Sequence, residues 1–148
     1  MDRAAIGLLD EPCPLRLVRG APQRPEDSFA GALYAVCPLE GGAALGFRLD
    51  RTLDLTLRPM LKLPGDLRVG GPVAAEQGVL LYEVTPGTFR FTTSQRRARR
   101  LAAAHRSGGG PTRAWLVFGH AAWPAGQLER ELAEGRWSEL PPVDLPAP

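Results

Sequence analysis

The chain has 148 residues, 44% of them hydrophobic, which is enough for one domain with a packed core and too few for two. A formal charge of +2 is too small to imply a nucleic-acid partner by itself, and 17 arginines against a single lysine, Lys62, fit a compositional bias as well as a function. No apolar run approaches membrane length, and the acidic Asp2, Asp10 and Glu11 argue against a leader peptide, so a cytoplasmic protein with no membrane partner is expected.

Met1 to Pro14 shows no sustained period and ends in Glu-Pro-Cys-Pro, which reads as a loosely held arm before a single domain at 15–140. Leu15 and Leu17 alternate with Arg16 and read as a half-buried strand; Ala21 to Asp27, with two prolines and several charges, is a loop. Phe29 to Val36 and Ala43 to Leu49 are apolar strands on either side of Gly41-Gly42, a hairpin signal. Leucines at 53, 57 and 61 are spaced by four, but Pro59 limits that stretch to a short helix or helical turn. Gly70-Gly71-Pro72 is a turn, Gly78 to Val84 a strand, and Pro86-Gly87 closes a hairpin onto Thr88 to Thr92. Thr93 or Ser94 caps a helix whose buried stripe is Ala98, Leu101, Ala102 and His105.

The stretch from Thr112 to Trp137 organises the rest. Trp115 to Phe118 is a short, uninterrupted run of β-formers, predicted as a central strand buried on both faces and ended by Gly119. A helix is expected from Trp123 or Pro124, with Ala125, Leu128 and Leu132 facing the core and Gln127, Glu129, Arg130, Glu131 and Glu134 facing water. Gly135 supplies the stop, and Trp137 folds back over the apolar face. The tail at 141–148 is proline-rich and expected to be extended or disordered. Strands in hairpins followed by a late strand and helix give an α+β class dominated by antiparallel pairing.

The string GHAAWPAGQLERELAEGRW, ending at Trp137, resembles the signature of the AlgH/YqgE family of uncharacterised bacterial proteins, in which a Gly, Tyr, Ala, Gly, Trp run leads into Gly-Gln-Leu-Glu. Further stretches resemble family segments in the same order: LRLVRGAP ending at Pro22, Phe29 to Cys37, Ala44-Leu45-Gly46 with Leu49-Asp50-Arg51, Gly70 to Val73 with Gly78 to Tyr82, and Thr92-Thr93-Ser94. His120, Ala122, Asp50 and Thr52 depart from the family's tyrosine, glycine, asparagine and proline. The connections between Leu57 and Gly70 and between Tyr82 and Thr92 are also shorter than the family norm. The resemblance implies a mainly antiparallel bifurcated sheet folded into a pseudo-barrel and flanked by two or three helices. It also imports a description sometimes attached to the family, transcriptional regulation.

No catalytic or metal motif of real specificity occurs, and no cofactor is expected. Cys37, at a strand end where the family often has cysteine, is a candidate redox-sensitive or nucleophilic thiol, although buried structural cysteine is commoner. Cys13 and Cys37 can pair, but a disulfide framework normally uses more cysteines. His105 and His120 stand beside no motif acid, the two Cys and two His are too dispersed in sequence for a zinc site, and Gly41 to Gly46 lacks the Lys-Ser/Thr of a phosphate loop. Cys37, Arg51, Trp123 and Gln127 are ligand-binding candidates if they converge, with Glu129 beside them in the best-matching segment. Arg90 to Arg113 holds seven arginines and no acid, and Arg96, Arg97, Arg99 and Arg100 form a face suited to nucleic acid or an acidic protein, if it is not simply solvated. A non-enzymatic regulatory or interaction module is therefore expected, with a small-molecule enzyme or a Cys37 redox sensor as the alternative.

Overall fold

The computed structural model describes residues 10–22, 30–56 and 65–148. In chain order the strands are β1 (Asp10–Cys13), β2 (Arg16–Gly20), β3 (Leu33–Pro38), β4 (Ala44–Arg48), β5 (Thr52–Thr56), β6 (Asp66–Val69), β7 (Val73–Thr85), β8 (Thr88–Thr92), β9 (Arg113–Trp123) and β10 (Trp137–Leu140). Two α-helices accompany them, α1 (Gln95–Arg106) and α2 (Gln127–Ala133).

The strands run in the order β1-β8-β7-β9-β4-β3-β2-β10, with β5 paired to β6 and β6 paired in parallel to β9. The other pairings are antiparallel. The sheet curls into a half-barrel with the two helices outside, an α+β fold of the kind the resemblance implies. It bifurcates at β9, whose first half pairs with β7 and whose last residues pair with β4.

Alternation along β9 divides the core, because successive side chains of a strand point to opposite faces. Trp115 and Val117 pack inward with Leu17, Cys37, Phe47, Leu81 and Phe91. Ala114 and Leu116 pack outward, with Leu80 and Tyr82, beneath Ala98 and Ala102 of α1. The far end of β9 serves a third cluster, in which Ala121 and Trp123 join Val18, Tyr34, Val36, Trp137 and Leu128 of α2.

Gly119 does not end this strand. It has φ +85°, and β9 continues through it to Trp123. Gly70 N–H donates to the Phe118 carbonyl at 2.8 Å, drawing two backbones together there. A Cβ on Gly119 would lie 2.3 Å from the Gly71 carbonyl oxygen, and one on Gly70 would lie 2.3 Å from the Gly119 carbonyl oxygen. Both contacts are with backbone, so a small rotamer change cannot relieve them.

Several expected elements are corrected. α2 starts at Gln127, because Gly126 has a left-handed φ of 80° and Gln127 N–H closes a turn onto the Pro124 carbonyl. Ala125 therefore precedes the helix and is exposed. Thr52–Thr56 is a strand rather than a helical turn: it also reads with period two, and pairing to β6 decides between the periods. Residues 57–64, including Pro59, lie outside the described residues, as do residues 23–29 of the expected loop and strand start. Within the expected arm, Asp10–Cys13 pairs with β8. The tail is anchored rather than loose: Pro142–Asp144 forms a 3-10 turn, Leu145 is buried, and the Pro146 carbonyl accepts Trp115 Nε1–H at 3.0 Å. Buried Arg68 also donates to the Ala147 carbonyl at 2.9 Å.

Gly119→Ala adds backbone overlap to a left-handed φ. Chemical denaturation is expected to show a loss of about 2–4 kcal/mol, whereas Gly87→Ala, with a positive φ but open space, costs only about 1 kcal/mol.

Candidate functional site

The family-like segment builds a closed network. Trp123, Tyr34 and Trp137 meet edge to face, with ring centroids 5.7–5.8 Å apart. Glu131 lies beneath them. It was expected in water, but it is buried because donors surround its carboxylate: Trp137 Nε1–H and Gln127 Nε2–H each donate to it at 2.8 Å. Burial pushes the Glu131 pKa up, and hydrogen bonds from Gln127, Trp137 and Trp123 outweigh that push, leaving it below the ordinary carboxylate value. A carboxylate held this way ties α2 and β10 to the sheet. Glu129, at the exposed edge, pairs with Arg16, which also binds Glu139 at 2.9 Å.

The four ligand candidates do not converge. Trp123 and Gln127 meet around Glu131, but Cys37 lies on the opposite face of β3 and is bonded to Cys13. Arg51 is exposed beyond Arg48, at the opposite end of β4 from the Ala44–Trp123 pair. Cys37 is thus buried and holds no free thiol, which removes the nucleophile from the thiol-based alternative. The histidines do not repair it. His105 Nδ1 is 3.2 Å from the Pro111 carbonyl oxygen, while buried His120 has an unpartnered Nδ1 and a pKa lowered by desolvation. Asp50, in the family's asparagine position, accepts Leu33 N–H at 3.1 Å and Arg48 Nε–H at 2.8 Å. Burial raises its pKa, but these donors more than offset it and leave the carboxyl below its usual value.

The arginine-rich stretch divides by partner. Arg113 donates to Glu83 at 2.9 and 3.1 Å and lies over the Trp115 ring at 5.1 Å. Arg90 and Arg97 both reach Asp10 of β1, at 3.4 and 3.2 Å, and Tyr82 Oη–H donates to the same carboxylate. No sequence signal marked Asp10 or Glu131 for these roles, since neither pairing follows a local spacing. Arg96, Arg99 and Arg100 remain exposed on α1, which starts at Ser94, whose Oγ accepts Arg97 N–H. No acidic residue occurs on α1 to neutralise them. Beside its first turns, a cleft of about 290 Å³ opens between the helix and the β7–β9 face, floored by Gly78, Leu80, Leu116 and Phe118 and edged by Arg99 and Glu76.

With this fold and basic face established, comparison with known proteins places the chain. The AlgH-like family model (DUF179) matches residues 17–144, and the chain belongs to this family. It is 31% identical over 139 residues to a UPF0301 protein of Paraburkholderia phymatum, an alignment covering 78% of this chain and 70% of that protein. A UPF0301 protein of Xylella fastidiosa is 32% identical, with 85% of this chain and 76% of that protein covered. Among solved structures, the AlgH protein of Pseudomonas aeruginosa aligns with TM-score 0.63 and 24% identity over 98% of this chain and 84% of that one. Protein DIP2367 of Corynebacterium diphtheriae aligns with TM-score 0.67 and 20% identity, covering 88% and 76% respectively. At these identities the two structures support the fold alone.

Trp137→Phe keeps a ring but removes the donor to Glu131, so a loss of about 1–3 kcal/mol is expected by urea denaturation. Glu83 is held at about 2 by hydrogen bonding from Arg113, against a smaller upward push from burial. Its folded pKa is depressed, so its contribution to stability is complete above the unfolded value near 4.5 and is lost as pH falls towards 2. The stability gap between wild type and Glu83→Gln should therefore be flat at neutral pH and narrow through that acid window; a gap constant to pH 3 would count against the pairing.

Proposed function

We propose that this chain is a non-enzymatic regulatory module that docks a polyanionic partner, specifically a nucleic-acid phosphate backbone, on the outward arc of α1. The observation that carries this reading is the exposed set Arg96, Arg99 and Arg100 in the first half of a helix bearing no acid. The N-terminal end of a helix favours negative charge, so helix stability does not account for arginines there. Phosphate contacts by such side chains position a protein on nucleic acid without reading its sequence. Transcriptional regulation is the process the family resemblance suggests for such contacts, and a cytoplasmic setting goes with that partner.

Fluorescence anisotropy with a labelled 30-base-pair duplex tests the reading. Binding should weaken as salt rises, with a log–log slope of about −3 if the three arginines each neutralise one phosphate. Arg96→Glu/Arg100→Glu should reduce affinity at least tenfold while leaving the far-UV circular dichroism unchanged. Absence of retention at 25 mM salt, or indifference to the double charge reversal, would overturn the nucleic-acid reading; capture of an acidic protein by the same face would redirect it.

A further inference from the structure

The cleft beside α1 lies between the first turns of the helix and the β7–β9 face. Gly78 pairs with Phe118 and Leu80 with Leu116 across β7 and β9, placing all four positions on the face that α1 partly covers. Ala98 also lines the cleft, and further along Leu101 and Ala102 pack on that face. Over the first turns the helix presents Ser94, Gln95 and Arg99 to the cleft, and no large apolar side chain descends to fill it. A Cβ on Gly78 would sit 3.4 Å from the Phe118 ring, an ordinary contact, and Gly78 has no positive φ, so the backbone itself does not require glycine there. The Phe118 ring and Leu116 lie against that position and form the cleft's apolar floor.

That space is about 290 Å³, near the lower end of the range for small-molecule pockets of roughly 300–1,000 Å³. Its floor is aliphatic and aromatic, Arg99 provides a cationic edge, and Glu76 stands in the β7 wall. An apolar body fits the floor, a single negative head fits Arg99, and Glu76 disfavours further negative charge.

We infer that this cleft binds a small amphiphilic monoanion, a compact aromatic or branched apolar body carrying one carboxylate, sulfonate or phosphate diester, with the body over Phe118 and Leu116 and the head on Arg99. The site shares Arg99 with the outer arc, but Arg96 and Arg100 do not line it. Binding there does not depend on the nucleic-acid reading.

The probe is 8-anilinonaphthalene-1-sulfonate, titrated into the full chain and followed by fluorescence, with N-phenyl-1-naphthylamine as its uncharged counterpart. A saturable one-to-one isotherm is expected, with the neutral dye at least tenfold weaker. Gly78→Leu, which fills the floor, and Arg99→Glu, which reverses the edge charge, should each weaken the sulfonate at least tenfold. Arg96→Glu/Arg100→Glu should change it less than twofold, so the cleft and the outer arc fail separately. Circular dichroism and thermal midpoint establish that each variant is folded; if Gly78→Leu is not, Gly78→Val and the exposed Arg99→Gln carry the test. Non-saturable binding, equal affinity for the neutral dye, or sulfonate binding unchanged in folded Gly78 and Arg99 variants would overturn the inference.

Discussion

The structure depends on the close approach of two backbones at the turn into β7, where Gly70 and Gly71 lie against Gly119 and His120 of β9. Gly70 N–H binds the Phe118 carbonyl at 2.8 Å, and a side chain on Gly70, Gly71 or Gly119 would overlap main-chain atoms at about 2.3 Å. Because β9 passes through this point instead of stopping, one strand can pair with β7 on one side and β4 on the other. All three apolar clusters take residues from this one strand. His120 sits next to this point, buried and with its pKa lowered by desolvation, in a position where backbone packing leaves little room for adjustment.

The residues that identify the family and those suited to binding occupy different parts of the molecule. Trp123, Gln127, Glu131 and Trp137 satisfy one another's polar groups within the third cluster, and that closure leaves little of them for a ligand. Such a network fastens α2 and β10 to the sheet edge. The exposed charge is instead on α1, where Arg96, Arg99 and Arg100 face outward and Asp10 restrains Arg97 and Arg90. The family signature and the exposed positive charge thus rest on separate physical features.

Elements whose side chains repeat with a clear local period were legible in the sequence. The hairpin across Gly41-Gly42, the Ser94 cap, the Ala98 and Ala102 part of the expected stripe and the buried run at Trp115 to Val117 stand where local chemistry put them, whereas Leu101, His105 and Phe118 are only partly buried. Failures came where a distant partner overrode the local preference. Thr52–Thr56 is a strand once β6 is alongside, a glycine that normally ends a strand carries β9 through the crossing, and a glutamate on the polar side of a helix is buried when two indoles and an amide surround it. The candidate site was legible in part: the arginine face was evident from composition, but the cleft beneath it depends on how α1 sits over the β7–β9 face, which only the packed sheet and helix reveal.

By itself, then, the sequence determined the class of fold, the family, the existence and order of the closing strand and helix, and the arginine-rich character of α1. Those properties reside in side-chain order along the chain, and hydrophobic period, capping and charge are local. Tertiary structure alone decided which arginines are neutralised, that Cys37 pairs with Cys13 instead of meeting Trp123, that the proline-rich tail is anchored through Trp115 and Arg68, and where a cavity remains. These outcomes depend on contacts between segments far apart in the chain, and neither a carboxylate's partner nor an unfilled volume has a local signature.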